Sequence, residues 1–110
     1  NTCLNWKEAE EAAARFLKRK GYRIIERNYR TRFGEIDIVA RYDGYLVFVE
    51  VKSGKSEFFP RTRVDLSKVK KIELAANEYL LERKVKYEAL RIDVVEVSEK
   101  GIEHIEGVQF

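Results

Sequence analysis

The sequence is poor in the residues that build soft-metal and cross-linked sites. Its one cysteine, Cys3, excludes an internal disulfide, and its one histidine, His104, excludes a Cys/His zinc site of ordinary ligand count. Hard metals bound by oxygen stay open. Long hydrophobic runs are also missing: none approaches the ~20 residues that cross a bilayer, and the N-terminus lacks the charged-then-apolar pattern of a signal peptide. No membrane association and a cytoplasmic location are therefore the expectation. Nor does charge of one sign dominate, because the formal net charge is +3.

What remains is a chain of 110 residues with 45% hydrophobic content, room for one core and hence a single domain over residues 1–110. Charged residues make up 37% of it and are unevenly placed. From Arg15 to Gly34 there are eight Lys or Arg against one Glu, and from Lys52 to Lys71 seven against two acidic residues. From Ile72 to Phe110 the balance reverses, five basic against nine acidic. A polyanion would find a docking side on the first two segments.

Trp6, Ala9, Ala13, Phe16 and Leu17 recur at helical spacing, which predicts a helix capped by Asn5 or Thr2 that runs to about Lys20 and stops at Gly21. A strand is expected from Tyr22 to Tyr29, a turn over Arg30 to Phe33, and a second strand from Glu35 to Tyr42. Asp43-Gly44 fits a two-residue type I′ turn leading into a third strand, Tyr45 to Val51. Ser53 to Val64, with the sole proline Pro60, has no period and reads as a loop. Leu66 to about Arg83 returns to helical spacing, with Ser67 or Asp65 available as cap. Two short strands, Tyr87 to Val97 and Ile102 to Ile105, complete an α/β order of αβββαββ.

A two-residue turn at Asp43-Gly44 makes Tyr42 face Tyr45 and sets the register of the hairpin. Asp37 then faces Glu50, Glu35 faces Lys52, and the period of two sends all four side chains to one face, with Val39 and Phe48. Like charges opposed in apolar strands need a compensating cation, and carboxylate oxygens suit Mg²⁺ or Mn²⁺. Lys52 would orient or help deprotonate a water nucleophile, or neutralise charge on a phosphorane, as phosphodiester hydrolysis requires. The competing reading is a Glu35–Lys52 salt bridge on a solvated face, with Asp37 and Glu50 merely exposed. Val39 and Phe48 on that face argue against full exposure.

Gly34-Glu35-Ile36-Asp37-Ile38-Val39 followed by Val47-Phe48-Val49-Glu50-Val51-Lys52 resembles the core of the PD-(D/E)xK nuclease superfamily. The resemblance is closest to the YraN-like bacterial family of endonuclease-like proteins, related to archaeal Holliday-junction resolvases. Ala9-Glu10 with Ala13 and Ala14 is similar to that family's Gly-Glu-x-x-Ala-Ala helix, and Arg91-Ile92-Asp93-Val94-Val95 to its late strand. The resemblance implies a restriction-endonuclease-like mixed sheet flanked by helices. It also implies Asp37, Glu50 and Glu10 as the metal site, Lys52 as catalytic lysine and Glu35 as a neighbour in the site. Ala9 departs from the usual Gly, and Val69 follows Lys68 where relatives often have Gln.

Beside this core, Arg27, Arg30 and Arg32, interleaved with Tyr29 and Phe33, would contact phosphates and stack on bases, or simply form a solvated turn over core aromatics. Lys55, Arg61 and Arg63 would close over a nucleic-acid strand, and Lys68 opens the second helix within a lysine run that is otherwise solvated. Asp93 reads as a core-edge residue or a partner for a basic neighbour. The expectation is thus an endodeoxyribonuclease dependent on Mg²⁺ or Mn²⁺ that acts on structured or branched DNA. A homodimer would be needed to cut both strands of a duplex. A non-catalytic nucleic-acid-binding module that keeps the fold is the alternative, and a protein-interaction domain using the acidic second half is a third.

Overall fold

The computed structural model describes residues 5–53 and 66–108. Of the expected loop, only Ser53 falls within them, so Lys55, Arg61 and Arg63 lie outside the described residues, as does the alternative cap Asp65. The order is α1 (Trp6–Arg19), β1 (Arg23–Thr31), β2 (Gly34–Tyr42), β3 (Tyr45–Ser53), α2 (Leu66–Arg83), β4 (Ala89–Ser98) and β5 (Gly101–Ile105), which is the αβββαββ order the sequence predicts.

Asn5 is the cap of α1. Its side chain accepts the N–H of Glu8 at 2.7 Å and the Glu8 side chain accepts the N–H of Asn5, so two orphan donors are satisfied reciprocally. The Tyr42 to Tyr45 turn has φ 52° at Asp43 and 83° at Gly44, the two positive values that a type I′ turn requires. The pairing it starts runs in the expected register through Val39 with Phe48 and Ile38 with Val49. The preceding turn is tighter than the sequence suggests: β1 continues to Thr31, which pairs with Gly34, and only Arg32 and Phe33 are left between the strands. The Thr31 hydroxyl closes that turn by accepting the N–H of Phe33 and donating to the carbonyl of Gly34.

The strands form one sheet in sequence order, antiparallel except where β3 runs parallel to β4 across the α2 crossover. A central strand covered on both faces needs no polar alternation, and β3 accordingly reads Leu46-Val47-Phe48-Val49 without a break. Ala9, Ala13, Ala14 and Leu17 of α1 pack on Ile38, Ala40, Val47, Val49 and Val51. Ile72, Ala75, Ala76 and Tyr79 of α2 pack on the opposite face against Tyr29, Ile36, Val39, Leu46 and Phe48. Tyr79 meets Tyr29 and Phe48 edge-on, at 5.0 and 5.7 Å between centroids. Among the described residues no helix is long and apolar enough to cross a membrane.

One irregularity positions the site. Strict alternation would send Ile36 to the face of Ile38, yet Ile36 belongs to the core under α2 and Ile38 to the core under α1. The strand therefore slips its alternation at Asp37, the residue between them. On β1 the matching irregularity is Asn28, at φ 55°, between the pairs Arg27 with Ile38 and Tyr29 with Ile36.

Candidate metal centre

The slip at Asp37 changes which residues that side chain meets. Alternation predicts Asp37 on the face of Val39 and Phe48, both of which lie under α2. Instead its carboxylate stands beside Glu10, a residue of α1 on the other face. One carboxylate oxygen from each of Glu10, Glu35 and Asp37 lies within 4.8 Å of the other two. Oxygens sharing one octahedral ion at ~2.1 Å are ~3.0 Å apart when adjacent and ~4.2 Å apart when opposite, so the three would draw closer together around a shared ion. Hard oxygen donors in that number fit a divalent cation, and this group could hold one.

Glu10 and Asp37 are each 5% exposed, while Glu35 is half-buried. Burial is the main reason that the Asp37 carboxyl is pushed up to about 7, and Glu50, Glu10 and Glu35 push it the same way. A single hydrogen bond opposes them, from the N–H of Val51 to Asp37 Oδ2 at 2.7 Å. Asp37 therefore resists its own ionisation, and a cation beside it would favour the charged form.

Glu50 reaches this centre from β3, and of the three carboxylates it raises the Asp37 pKa the most. Among the described residues it is not one of the tight carboxylate group. Its Oε2 instead lies 3.0 Å from Nζ of Lys68, at the start of α2. The sequence marks Lys68 for phosphate contact; the structure gives its ammonium a partner in the site. Lys52 follows on β3, half-buried, in register with the buried Glu96 of β4. A cleft of about 70 Å³ opens here, with Phe33, Glu35, Glu50, Lys68 and Lys71 on its walls. A larger one of about 400 Å³, between α2 and β4, contains none of these carboxylates and belongs to a different part of the surface.

Of the other residues marked for nucleic acid, Arg30 is exposed on β1, and Arg32 pairs with Glu78 at 3.3 Å while lying over the ring of Phe33. Tyr29 is core, 7% exposed, and offers no face for a base to stack on. Sequence reasoning missed Asn28. Its Nδ2 donates to Glu10 and to Glu35. An asparagine inside a run of strand formers was the available signal.

Asp93 proves to be the hub of a separate network on the α1 side of the sheet. It is fully buried and accepts from Arg91 through two nitrogens at 2.9 Å each, from His104 Nε2 at 2.8 Å, from the Tyr22 hydroxyl at 3.1 Å and from the Gly107 N–H at 3.1 Å. Burial alone would raise its pKa; the donors from His104, Arg91 and Gly107 outweigh that and hold it at about 2. The Lys20 ammonium, which can only donate, lies 2.7 Å from His104 Nδ1, so that nitrogen is the acceptor and Nε2 carries the proton given to Asp93.

Comparison with known proteins agrees with the YraN-like resemblance. Residues 9–97 match the model of the uncharacterised protein family UPF0102. A UPF0102 protein of Pseudothermotoga lettingae is 66% identical over 106 residues, covering 96% of this chain and 99% of the relative. One of Thermotoga maritima is 54% identical over 105 residues, with 96% of each chain covered. One of Persephonella marina is 44% identical over 106 residues, covering 94% of this chain and 91% of the relative.

Proposed function

The chain belongs to the UPF0102 family, and from that premise we propose that it is an endonuclease, dependent on Mg²⁺ or Mn²⁺, that hydrolyses phosphodiester bonds in structured or branched DNA. The observation that carries this reading is the meeting of Glu10, Glu35 and Asp37 oxygens within 4.8 Å, on α1 and β2, beside the strand β3 that carries Glu50 and Lys52. Three carboxylates this close are a liability unless something cationic is meant to join them.

Glu10, Asp37 and either Glu35 or Glu50 would hold a divalent ion, whose chemistry there would be Lewis-acid polarisation of a phosphoryl oxygen. The chain's own groups do the rest. The Asp37 carboxylate is held in place by the Val51 N–H, so its free oxygen is aimed before any ligand arrives. The Lys52 ammonium stands two residues from Glu50, where it neutralises charge growing on the phosphorane and orients the attacking water. Lys68 and Lys71, on the wall of the same cleft, meet the phosphates to either side of the scissile bond. Arg30 at the end of β1 and Arg32 in the turn after it extend the basic track, and a second copy of the chain would bring a second centre to the opposite strand of a duplex.

The test combines calorimetry with Mg²⁺ and Mn²⁺ on the wild type and on Asp37→Asn with incubation of labelled junctions, flaps, single strands and duplexes. Metal binding lost in Asp37→Asn, with cleavage of at least one structured DNA, is the expected result. Salt-sensitive DNA binding without metal binding or cleavage would replace the proposal with the non-catalytic module.

A further inference from the structure

Two carboxylates of the centre, one from each of two elements that are distant in sequence, are joined by a single uncharged group. Asn28 Nδ2 lies 3.1 and 3.3 Å from the two oxygens of Glu10 and 2.8 Å from Glu35 Oε2. An amide nitrogen has two hydrogens, so one is shared between the Glu10 oxygens and the other goes to Glu35. The backbone sets this up. At φ 55°, between the pairs that flank Asp37, residue 28 leaves the strand's alternation, and asparagine is among the few side chains that tolerate that conformation.

The choice of an amide is chemically pointed. Lysine or arginine in this place would cancel the charge that a cation is attracted by, and aspartate would add a further repelling carboxylate. An amide supplies N–H donors with no charge, so it draws the carboxylates together and leaves the site anionic. Resting on the reading of this centre as a divalent-metal site, we infer that Asn28 is its positioning residue: the amide converges Glu10 of α1 and Glu35 of β2 and, by holding Glu35 through Oε2, leaves its other oxygen for the ion. Outer groups that orient carboxylate ligands act in this way at other metal centres, and their loss weakens metal binding by roughly 10–100-fold.

The experiment uses Asn28→Gly, which deletes the amide but accepts the positive φ, together with Asn28→Asp, Glu10→Ala and the Asn28→Gly/Glu10→Ala pair. Calorimetry with Mn²⁺ is expected to show Asn28→Gly binding roughly 10–100-fold more weakly than the wild type. In EDTA, Asn28→Asp is expected to unfold at a lower urea concentration than Asn28→Gly. Asn28→Gly should also lower the urea midpoint of the wild type by at least twice as much as it lowers that of Glu10→Ala. Mn²⁺ affinity within twofold of wild type in Asn28→Gly would overturn the inference. Should the wild type bind no Mn²⁺, the metal reading fails on its own, and the urea comparison decides whether the amide assembles the carboxylates: equal losses in both backgrounds would mean that it does not.

Discussion

Asp37 Oδ2 accepts the backbone N–H of Val51 at 2.7 Å, so a side chain of β2 takes up a donor on β3 just beyond the last regular pair, Ile38 with Val49. The bond ties the candidate centre to the sheet. It also separates what Asp37 does for the fold from what it does for a cation, because an amide oxygen can replace the first role and not the second.

Asp37→Asn is accordingly expected to fold, with its carbonyl oxygen accepting from Val51, and to lose Mn²⁺ affinity by more than the roughly 10–100-fold typical of an outer-sphere partner. Asp37→Ala leaves the buried Val51 N–H without that acceptor and should be less stable than Asp37→Asn by about 1–3 kcal/mol. Urea denaturation in EDTA and Mn²⁺ calorimetry on both variants measure the two effects. Equal stability of Asn and Ala at this position would show that the Val51 bond contributes nothing.

The raised pKa of Asp37 has a defined consequence for pH. The folded state holds this proton up to about 7, against 3.8 for a free carboxyl. The stability it contributes is fully present below 3.8 and is lost as pH rises through about 7. In EDTA the wild type should therefore lose stability relative to Asp37→Asn between pH 4 and 8. Parallel urea-midpoint profiles for the two proteins would show that Asp37 ionises normally, and saturating Mn²⁺ should abolish the difference in slope.

Asp93 carries the opposite sign. Its carboxyl is held at about 2, so its contribution is present above 3.8 and is lost only as pH falls through about 2. Asp93→Ala leaves the Arg91 guanidinium, 14% exposed, without its bidentate partner, along with the buried His104. Removing one member of a buried ion pair typically costs ~3–5 kcal/mol, and a loss of that size is expected in urea denaturation at pH 7. A loss below 1 kcal/mol would mean that solvent replaces the carboxylate.

Lys68 and Glu50 give a test of which carboxylates a cation touches. The Lys68 side chain is 55% exposed and that of Glu50 6%, so the pair contributes little to stability, on the order of 1 kcal/mol at most. Its ammonium competes with any cation at Glu50. Lys68→Ala should bind Mn²⁺ more tightly by up to about fivefold, the equivalent of that energy, while weakening DNA binding at low salt. Unchanged Mn²⁺ affinity would remove Glu50 from the ligand set and leave Glu10, Glu35 and Asp37.

The sequence by itself determined the elements and much of their pairing, because those depend on local rules. Asp43-Gly44 dictated a turn, the turn dictated the register from Tyr42 with Tyr45 to Ile38 with Val49, and apolar periodicity marked α1 and α2. The charged residues on β2 and β3 were visible as a constellation for the same reason, and Glu10 through its motif. Only the tertiary structure decided how they meet. The alternation of a strand is a local expectation that holds until packing overrides it, and here Ile36 is taken by the core under α2 while Ile38 is taken by the core under α1. That override turns Asp37 to the helix that brings Glu10, in company with Asn28. The contact of Lys68 with Glu50 and the five donors around Asp93 have the same origin. They join residues 11 to 71 positions apart, save the short reach from Arg91, and a distance of that kind is set by how the layers pack rather than by any pattern within a segment.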